Sequence, residues 1–243
     1  MPDLPVAEGA IEPTVDTTSH NYLARFAEMN LMEWEPHGGR FCAEVPTLDT
    51  LAAAMADVPE DEERFGPLFP FPPAEMDKEV AAWSMPIAGV HTMRWVIPTY
   101  EELAMVFTSA DGGQISFVDG LAYQLREIEG YMHALRYEFV NRAGLEIRSR
   151  LVADTLSLDS VRSEAFWNAP MDEVVRCFPA LGCSDTESDP RMVYGRGEGG
   201  SCWSSTPSGR SAMSANFSIT LADVYEVDRT YGLCIRPFAR GGF

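Results

Sequence analysis

Five cysteines, Cys42, Cys177, Cys183, Cys202 and Cys234, are the first place to look for chemistry in this 243-residue chain. Closely spaced thiols would support metal binding or disulfide exchange. The chain has no C-x-x-C pair, and an odd cysteine count argues against a zinc ribbon and against a complete disulfide framework. Cys177 and Cys183 are near enough in sequence to bridge a short loop; buried or free thiols are the preferred reading, and the redox compartment stays open. The histidines His20, His37, His91 and His133 are scattered, none at metal-ligand spacing to another His or to Cys. The acid run Glu60-Asp61-Glu62-Glu63 lacks the glycine turn and ligand alternation of a calcium loop, so it reads as a solvated charge run. Ser201, Ser204, Ser205 and Thr206 offer hydroxyls without a nearby histidine to act as base. No G-x-G-x-x-G is expected after a strand, and there is no P-loop, no G-x-S-x-G and no H-E-x-x-H. The expectation is a non-enzymatic protein, with no catalytic residues, no metal and no cofactor.

Composition narrows the partners. The formal net charge is −19, from 18 Lys+Arg against 37 Asp+Glu, and Lys78 is the only lysine. Affinity for nucleic acid comes mostly from clustered Lys and Arg, so a phosphate-backbone partner is disfavoured, as is docking on anionic membranes. The acidity belongs to residues 1–200; residues 201–243 hold Asp223, Glu226 and Asp228 against Arg210, Arg229, Arg236 and Arg240. Hydrophobic residues make up 46% and aromatics 11%, enough for a proper core at this length. No stretch approaches the roughly 18 apolar residues of a membrane helix. The opening residues show neither the basic nor the apolar region of a signal peptide.

The elements that would position any site follow from local pattern. Residues 1–20 read as an irregular lead-in, and Leu23, Phe26, Met29 and Leu31/Met32 fall near helical spacing. Thr47 reads as the N-cap of an Ala-rich helix. Residues 59–75, with five prolines, form a surface connection pinned to the body by Phe65, Phe69 and Phe71. Residues 93–98 read as a strand closed by Pro98, and Thr99 with Glu102 makes a capping box for a helix starting at Tyr100. Gln114–Gly120 reads as a strand, 121–128 as a helix followed by strand, 163–182 as mostly helical, and 184–200 as a polar, Gly-rich loop. The clearest β signal lies at the end. Ala215, Phe217, Ile219 and Leu221 alternate with Ser214, Asn216, Ser218 and Thr220. Ala222-Asp223 reads as a turn, followed by two more strands with Leu233 and Ile235 inward.

Two segments carry a family resemblance. MRWVIPTYEELAMVF at 93–107 is similar to the W-R-L-P-T-x-E-E-L helix entry of C-type-lectin-like domains, in the version shared by the formylglycine-generating-enzyme group and the Fibrobacter succinogenes major paralogous domain. GGSCWSSTP at 199–207, then RTYGLCIRPF at 229–238, resembles the W-S-S-T … Y-G-x-x-V-R-P ending of the paralogous domain. The resemblance implies an α+β fold, a C-type-lectin-like domain at 80–243 with a C-terminal antiparallel β display face. Residues 1–79 would be an acidic, Pro-rich extension packing on it. Trp203 would be core, and Arg236 would tie the last strand to neighbouring carbonyls or a carboxylate. The calcium-ligand motifs of sugar-binding lectins and the closely spaced cysteine pair of the oxidases are both missing.

One branch of that fold comprises variable proteins of diversity-generating retroelements, which randomise solvent-facing codons in this same segment. Adenine mutation of AAC or AAT codons yields no Lys, Glu, Gln, Met or Trp, and residues 201–243 contain only Trp203, Met213 and Glu226 of that set. A β segment also avoids Lys, Glu and Gln for its own reasons. The expected ligand-binding positions are Cys202, Ser208, Arg210, Ser214, Asn216, Ser218, Thr220, Asp223, Tyr225, Asp228, Thr230 and Cys234. Their mix of Tyr, Ser, Asn and Arg suits adaptable recognition. The resemblance implies a receptor-recognition protein on a virion, phage or cell surface, binding a protein or glycan of a target cell, without nucleic acid or membrane insertion, and presented as a homo-oligomer. An ordinary microbial or fimbrial adhesin is the alternative, and a formylglycine-generating-type oxidase the enzyme rival.

Overall fold

The computed structural model describes residues 15–31, 68–71, 85–87, 90–185 and 189–241. In chain order the strands are β1 (Phe69–Pro70), β2 (Met85–Ile87), β3 (Val90–Val96), β4 (Ile115–Ser116), β5 (Leu121–Ile128), β6 (Tyr131–Val140), β7 (Gly144–Val152) and β8 (Val174–Pro179). They continue with β9 (Cys183–Asp185), β10 (Asp189–Tyr194), β11 (Gly199–Ser208), β12 (Ser211–Ser218), β13 (Leu221–Asp228), β14 (Tyr231–Leu233) and β15 (Phe238–Arg240). Among the described residues the helices are short: α1 (Tyr100–Phe107), α2 (Leu158–Val161), α3 (Glu164–Asn168) and a 3-10 turn at Tyr22–Arg25.

The expected α+β class, a C-type-lectin-like domain with a β display face, is therefore corrected: the described residues are mostly antiparallel β, arranged in several small sheets with few helices. The sheets run β5-β6-β7-β8, β11-β12-β13-β4, β1-β14-β9-β10 and β15-β3-β2. The largest difference from the sequence reading is at 121–128, which is strand. Glu129 and Gly130 both have positive φ (52° and 84°), the two-residue turn whose twist suits a hairpin, and β5 pairs with β6 from Leu121↔Glu138 to Ile128↔Tyr131. Within 163–182 only α3 is helical; Pro170 follows it and Val174–Pro179 joins β7 as a strand. Part of the expected loop at 184–200 is β9 and β10, so the G-x-G-x-x-G at Gly195–Gly200 does follow a strand, contrary to expectation, but it leads into β11 and opens no helix. The turn expected at Ala222-Asp223 falls instead at Ile219-Thr220, between β12 and β13. Thr47, Phe65 and the acid run at 60–63 lie outside the described residues.

Expectations carried by short-range chemistry fare better. The Thr99 Oγ1 accepts from the Glu102 N–H (3.3 Å) and the Glu102 carboxylate accepts from the Thr99 N–H (2.7 Å), which starts α1 where expected. Phe69 and Phe71 do pin their connection: Phe69 pairs with Leu233 in the β1–β14 ladder, and Phe71 packs edge-to-face on Trp203.

Residues 21–31 form a strap instead of the expected helix. Tyr22, Leu23, Phe26, Met29 and Leu31 are all buried, spread over three apolar clusters. The strap's backbone is stitched to the C-terminal segment, with Ala27 N–H donating to Pro237 O (2.8 Å) and Leu31 N–H to Ile235 O (2.9 Å). Two buried guanidiniums satisfy its carbonyls. Arg176 donates to Phe26 O and Ala24 O, while Arg236 donates to Ala27 O (2.9 Å) and to Cys177 O (2.7 Å) with its charge over the Phe178 ring. The principal core lies where α1, the strap and the inner faces of β6–β8 and β11–β13 meet, around Phe26, Phe107, Phe178, Phe217 and Phe238.

Candidate recognition surface

Register fixes which side chains of the β11–β13 sheet share a face. Cys202, Ala215 and Val224 lie opposite one another, as do Gly200, Phe217 and Ala222, and these point into the principal core. The other face carries the rows Ser201–Asn216–Asp223 and Trp203–Ser214–Tyr225. Part of it is covered by the β1-β14-β9-β10 sheet through a second cluster of Phe71, Trp203, Ala212, Leu233 and Ile235. Trp203 is fully buried and donates its indole N–H to Phe69 O (2.8 Å).

That cover divides the expected binding set. Cys202, Ser214, Asn216 and Cys234 are buried; Ser208, Ser218, Asp223 and Thr230 are half-buried; Arg210, Thr220, Tyr225 and Asp228 are exposed. The buried polar members satisfy one another. Ser201 Oγ donates to Asn216 Oδ1 (2.7 Å), and Asn216 Nδ2 donates to Ser214 O (2.8 Å) and Ser214 Oγ (2.9 Å). These groups make a polar seam that lets a second layer close over the sheet without orphaned hydrogen-bonding atoms. The alternation that marked them as a polar face is real, but a layer remote in sequence covers much of it. Cys202 and Cys234 form a direct bridge between neighbouring chain segments, their sulfurs 2.8 Å apart.

Several half-buried or exposed members shape turns. Asp228 Oδ1 accepts from both the N–H and the hydroxyl of Thr230 (3.0 Å each), which holds its carboxyl below the usual range. Ser208 Oγ donates to the Glu226 carboxylate (2.7 Å) across the same hairpin end.

Beside Asp223 and Tyr225, which the sequence reading named, lies a strip on β9, β10 and β14 that it missed. Cys183 of β9 lies opposite Tyr194 of β10, and Asp185 opposite Tyr231 of β14. Tyr194 and Met192 are exposed, with the Tyr194 hydroxyl donating to the Met192 sulfur (3.3 Å). Tyr225 joins this strip from β13. Its phenol is pushed up first by burial of part of the ring and then by nearby Cys183 and Asp223. The Cys183 thiol is pushed up by burial and by Asp185. The strip thus combines Tyr194, Met192, Tyr225 and half-buried Tyr231 with the carboxylates of Asp185 and Asp223. Spacing of Met192 and Tyr194 two residues apart in Arg-Met-Val-Tyr was the available signal.

Other chemistry-bearing groups serve structure. His133 is buried; its Nε2 accepts from the Tyr22 N–H (3.1 Å) and its Nδ1 lies 2.8 Å from Tyr131 O, so the neutral Nδ1–H form fits both partners. Among the described residues no group of three or more His, Cys, Asp or Glu could hold a metal ion. A shallow cleft of about 520 Å³ beside β7 and α3 is lined by aliphatic and aromatic side chains, with Thr155 its one hydroxyl.

Residues 108–238 match a family model described as Domain of unknown function (DUF8237). The chain belongs to the DUF8237 family. Neither curated proteins nor solved structures give a match. The DUF8237 region begins at the C-cap of α1 and ends at the first residue of β15, so it contains both large four-stranded sheets and the strip around Tyr225. The strap at 21–31 and strands β1–β3 lie outside the matched residues.

Proposed function

We propose that this DUF8237 protein is a recognition module that binds a protein or glycan on a target cell surface through the outer strip of β9, β10, β13 and β14. The observation that carries the reading is the clustering of exposed Tyr194, Met192 and Tyr225 beside Asp185 and Asp223, where the β9–β10–β14 sheet meets β13 of its neighbour. Tyrosine offers a large contact area with few rotors to freeze and a hydroxyl for orientation, and methionine adapts to irregular partners. Carboxylates between the rings favour a partner that brings cationic groups or hydroxyls. The ordered sheets beneath hold the strip rigid, which lowers the entropy lost on binding.

Variation at exposed codons, as in variable proteins of diversity-generating retroelements, fits the exposed members Arg210, Thr220, Tyr225 and Asp228 best. A nearby template repeat matching the coding sequence for residues 201–234, with differences confined to adenines, supports that origin; absence of any second copy removes it. Binding itself is tested by titrating the full chain on arrays of immobilised glycans and on cell-surface proteins. Tyr225→Ala and Tyr194→Ala should each weaken a detected interaction at least about tenfold, as expected for a tyrosine at the centre of an interface. Val118→Ala, exposed and outside the strip, should leave it unchanged. Equal binding by all three variants would remove the strip from the function.

A further inference from the structure

We propose that Cys202 and Cys234 form an intrachain disulfide that staples the base of the segment presenting Arg210, Tyr225, Asp228 and Thr230. Three observations carry it. The two residues are direct bridge partners in parallel alignment, held by Trp203 N–H donating to Cys234 O (3.0 Å) and Cys234 N–H donating to Ser201 O (3.1 Å). Adjacent strands lie about 4.7–4.9 Å apart, inside the Cα separation of roughly 4.4–6.8 Å that a disulfide spans. The sulfurs approach to 2.8 Å, closer than two non-bonded sulfurs rest, so both side chains already point at each other. Elsewhere, the Cys177 thiol faces the Glu146 carboxylate (3.7 Å), and Cys183 lies in the outer strip.

The reaction is thiol–disulfide exchange with a small-molecule disulfide. One cysteine thiolate attacks it, forms a mixed disulfide and releases one thiolate. The second cysteine then attacks the sulfur of the first, releasing the other thiolate. Each departing thiolate takes up one of the two protons lost by the cysteines, so one disulfide is exchanged for another. Cys202 and Cys234 are 1% and 2% exposed, so exchange proceeds while β14 is unseated, during folding or local opening, and the finished bond is shielded from reductants. Because the cysteines are 32 positions apart, the closed loop contains the β12–β13 hairpin and most of β11. The bond restrains that loop in the unfolded chain and fixes β14 against β11 in the folded one.

The test uses the full chain and oxidised glutathione as the probe. Reduced, denatured protein is refolded with it, unfolded again in the presence of an alkylating reagent, digested and mapped by mass. The expected result is a linked peptide pair joining Cys202 to Cys234, two hydrogens lighter than the dithiol. Recovery of Cys202 and Cys234 as alkylated thiols, as separate glutathione adducts, or joined to other cysteines overturns the proposal. A second readout compares thermal unfolding before and after oxidation: the wild type should gain roughly 10 °C in Tm, the shift a loop of this length supplies. The Cys202→Ala/Cys234→Ala double variant should show no such gain, and an equal gain in it also overturns the proposal.

Discussion

Arg240 grips Glu102 with two hydrogen bonds, Nε to Oε1 at 2.9 Å and Nη2 to Oε2 at 2.6 Å. The same carboxylate caps α1 by accepting the Thr99 N–H, so one side chain starts a helix and anchors the last described strand. Glu102→Ala removes both roles and is expected to lower unfolding free energy by about 1–2 kcal/mol. Arg240→Ala removes only the partly exposed ion pair and should cost less, about 0.2–1 kcal/mol. A double-mutant cycle by urea unfolding checks both; a null coupling between the two would detach the strand from the cap.

Acid should loosen the strap before it denatures the sheets. Burial lowers the His133 pKa below 6.5, opposed by the hydrogen bond to Tyr131 and the charge of Glu129. The unfolded chain therefore takes up a proton that the folded chain resists, and the contribution of neutral His133 is whole above the ordinary imidazole value. It is lost progressively as pH falls through about 6.5 toward the lowered folded value. Protonated Nε2 also cannot accept from Tyr22. The urea midpoint should fall between pH 7.5 and 5.5, as an expected titration range of about one unit either side of 6.5. His133→Gln should flatten that part of the profile; an unchanged slope would place the effect elsewhere.

Arg236→Ala should be among the most damaging single changes, about 3–5 kcal/mol, because the Ala27 and Cys177 carbonyls lose a fully buried charged donor. Arg236→Lys should recover only part of the loss, since an ammonium cannot serve both carbonyls while lying flat on Phe178. Equilibrium denaturation of both variants decides this, with near-wild-type stability of Arg236→Ala as the contrary result.

Gly200→Ala tests how tightly the core closes on β11. An added Cβ would lie 2.5 Å from Phe217 Cζ and 2.8 Å from Pro179 O, and the second is backbone that cannot swing aside. The expected cost is about 1–3 kcal/mol, the usual penalty for overpacking. Gly130→Ala, where a Cβ meets open space but φ is 84°, should fall near the low end of that range for conformational reasons alone.

Much of what proved readable depends on neighbours in sequence. The capping box at Thr99 and Glu102 needs only a three-residue spacing, and it starts α1 as expected. Trp203 and Arg236 were expected in structural roles because a large ring or a guanidinium must find partners wherever it is buried, and both do. The strap and β5 misled for opposite reasons. Residues 22–31 carry helical spacing, yet their apolar groups are drawn into three separate clusters and the carbonyls of Ala24, Phe26 and Ala27 are claimed by Arg176 and Arg236, partners about 150 to 209 positions away. Residues 121–128 carry charge pairs that suit a helix, but the Glu129-Gly130 turn commits them to a ladder. Within the candidate site, the alternation in β12 was visible while the sheet that covers it was not. Ser214 and Asn216 therefore read as outward-facing although the fold uses them as an internal seam.

The stitching of Ala27 to Pro237 and of Leu31 to Ile235 also bears on how the chain comes into being. On the ribosome the strap is made long before its acceptors, which lie about 200 positions later in the chain. Until residues 235–237 emerge, Phe26, Met29 and Leu31 have no permanent home, and a nascent chain must carry them exposed. Contacts across such long separations are costly to form early, and delay of this kind favours association with other unfinished chains. Expression should therefore respond to chaperone supply and to translation speed between the codons for residues 31 and 235 more than to changes in the β5–β6 hairpin.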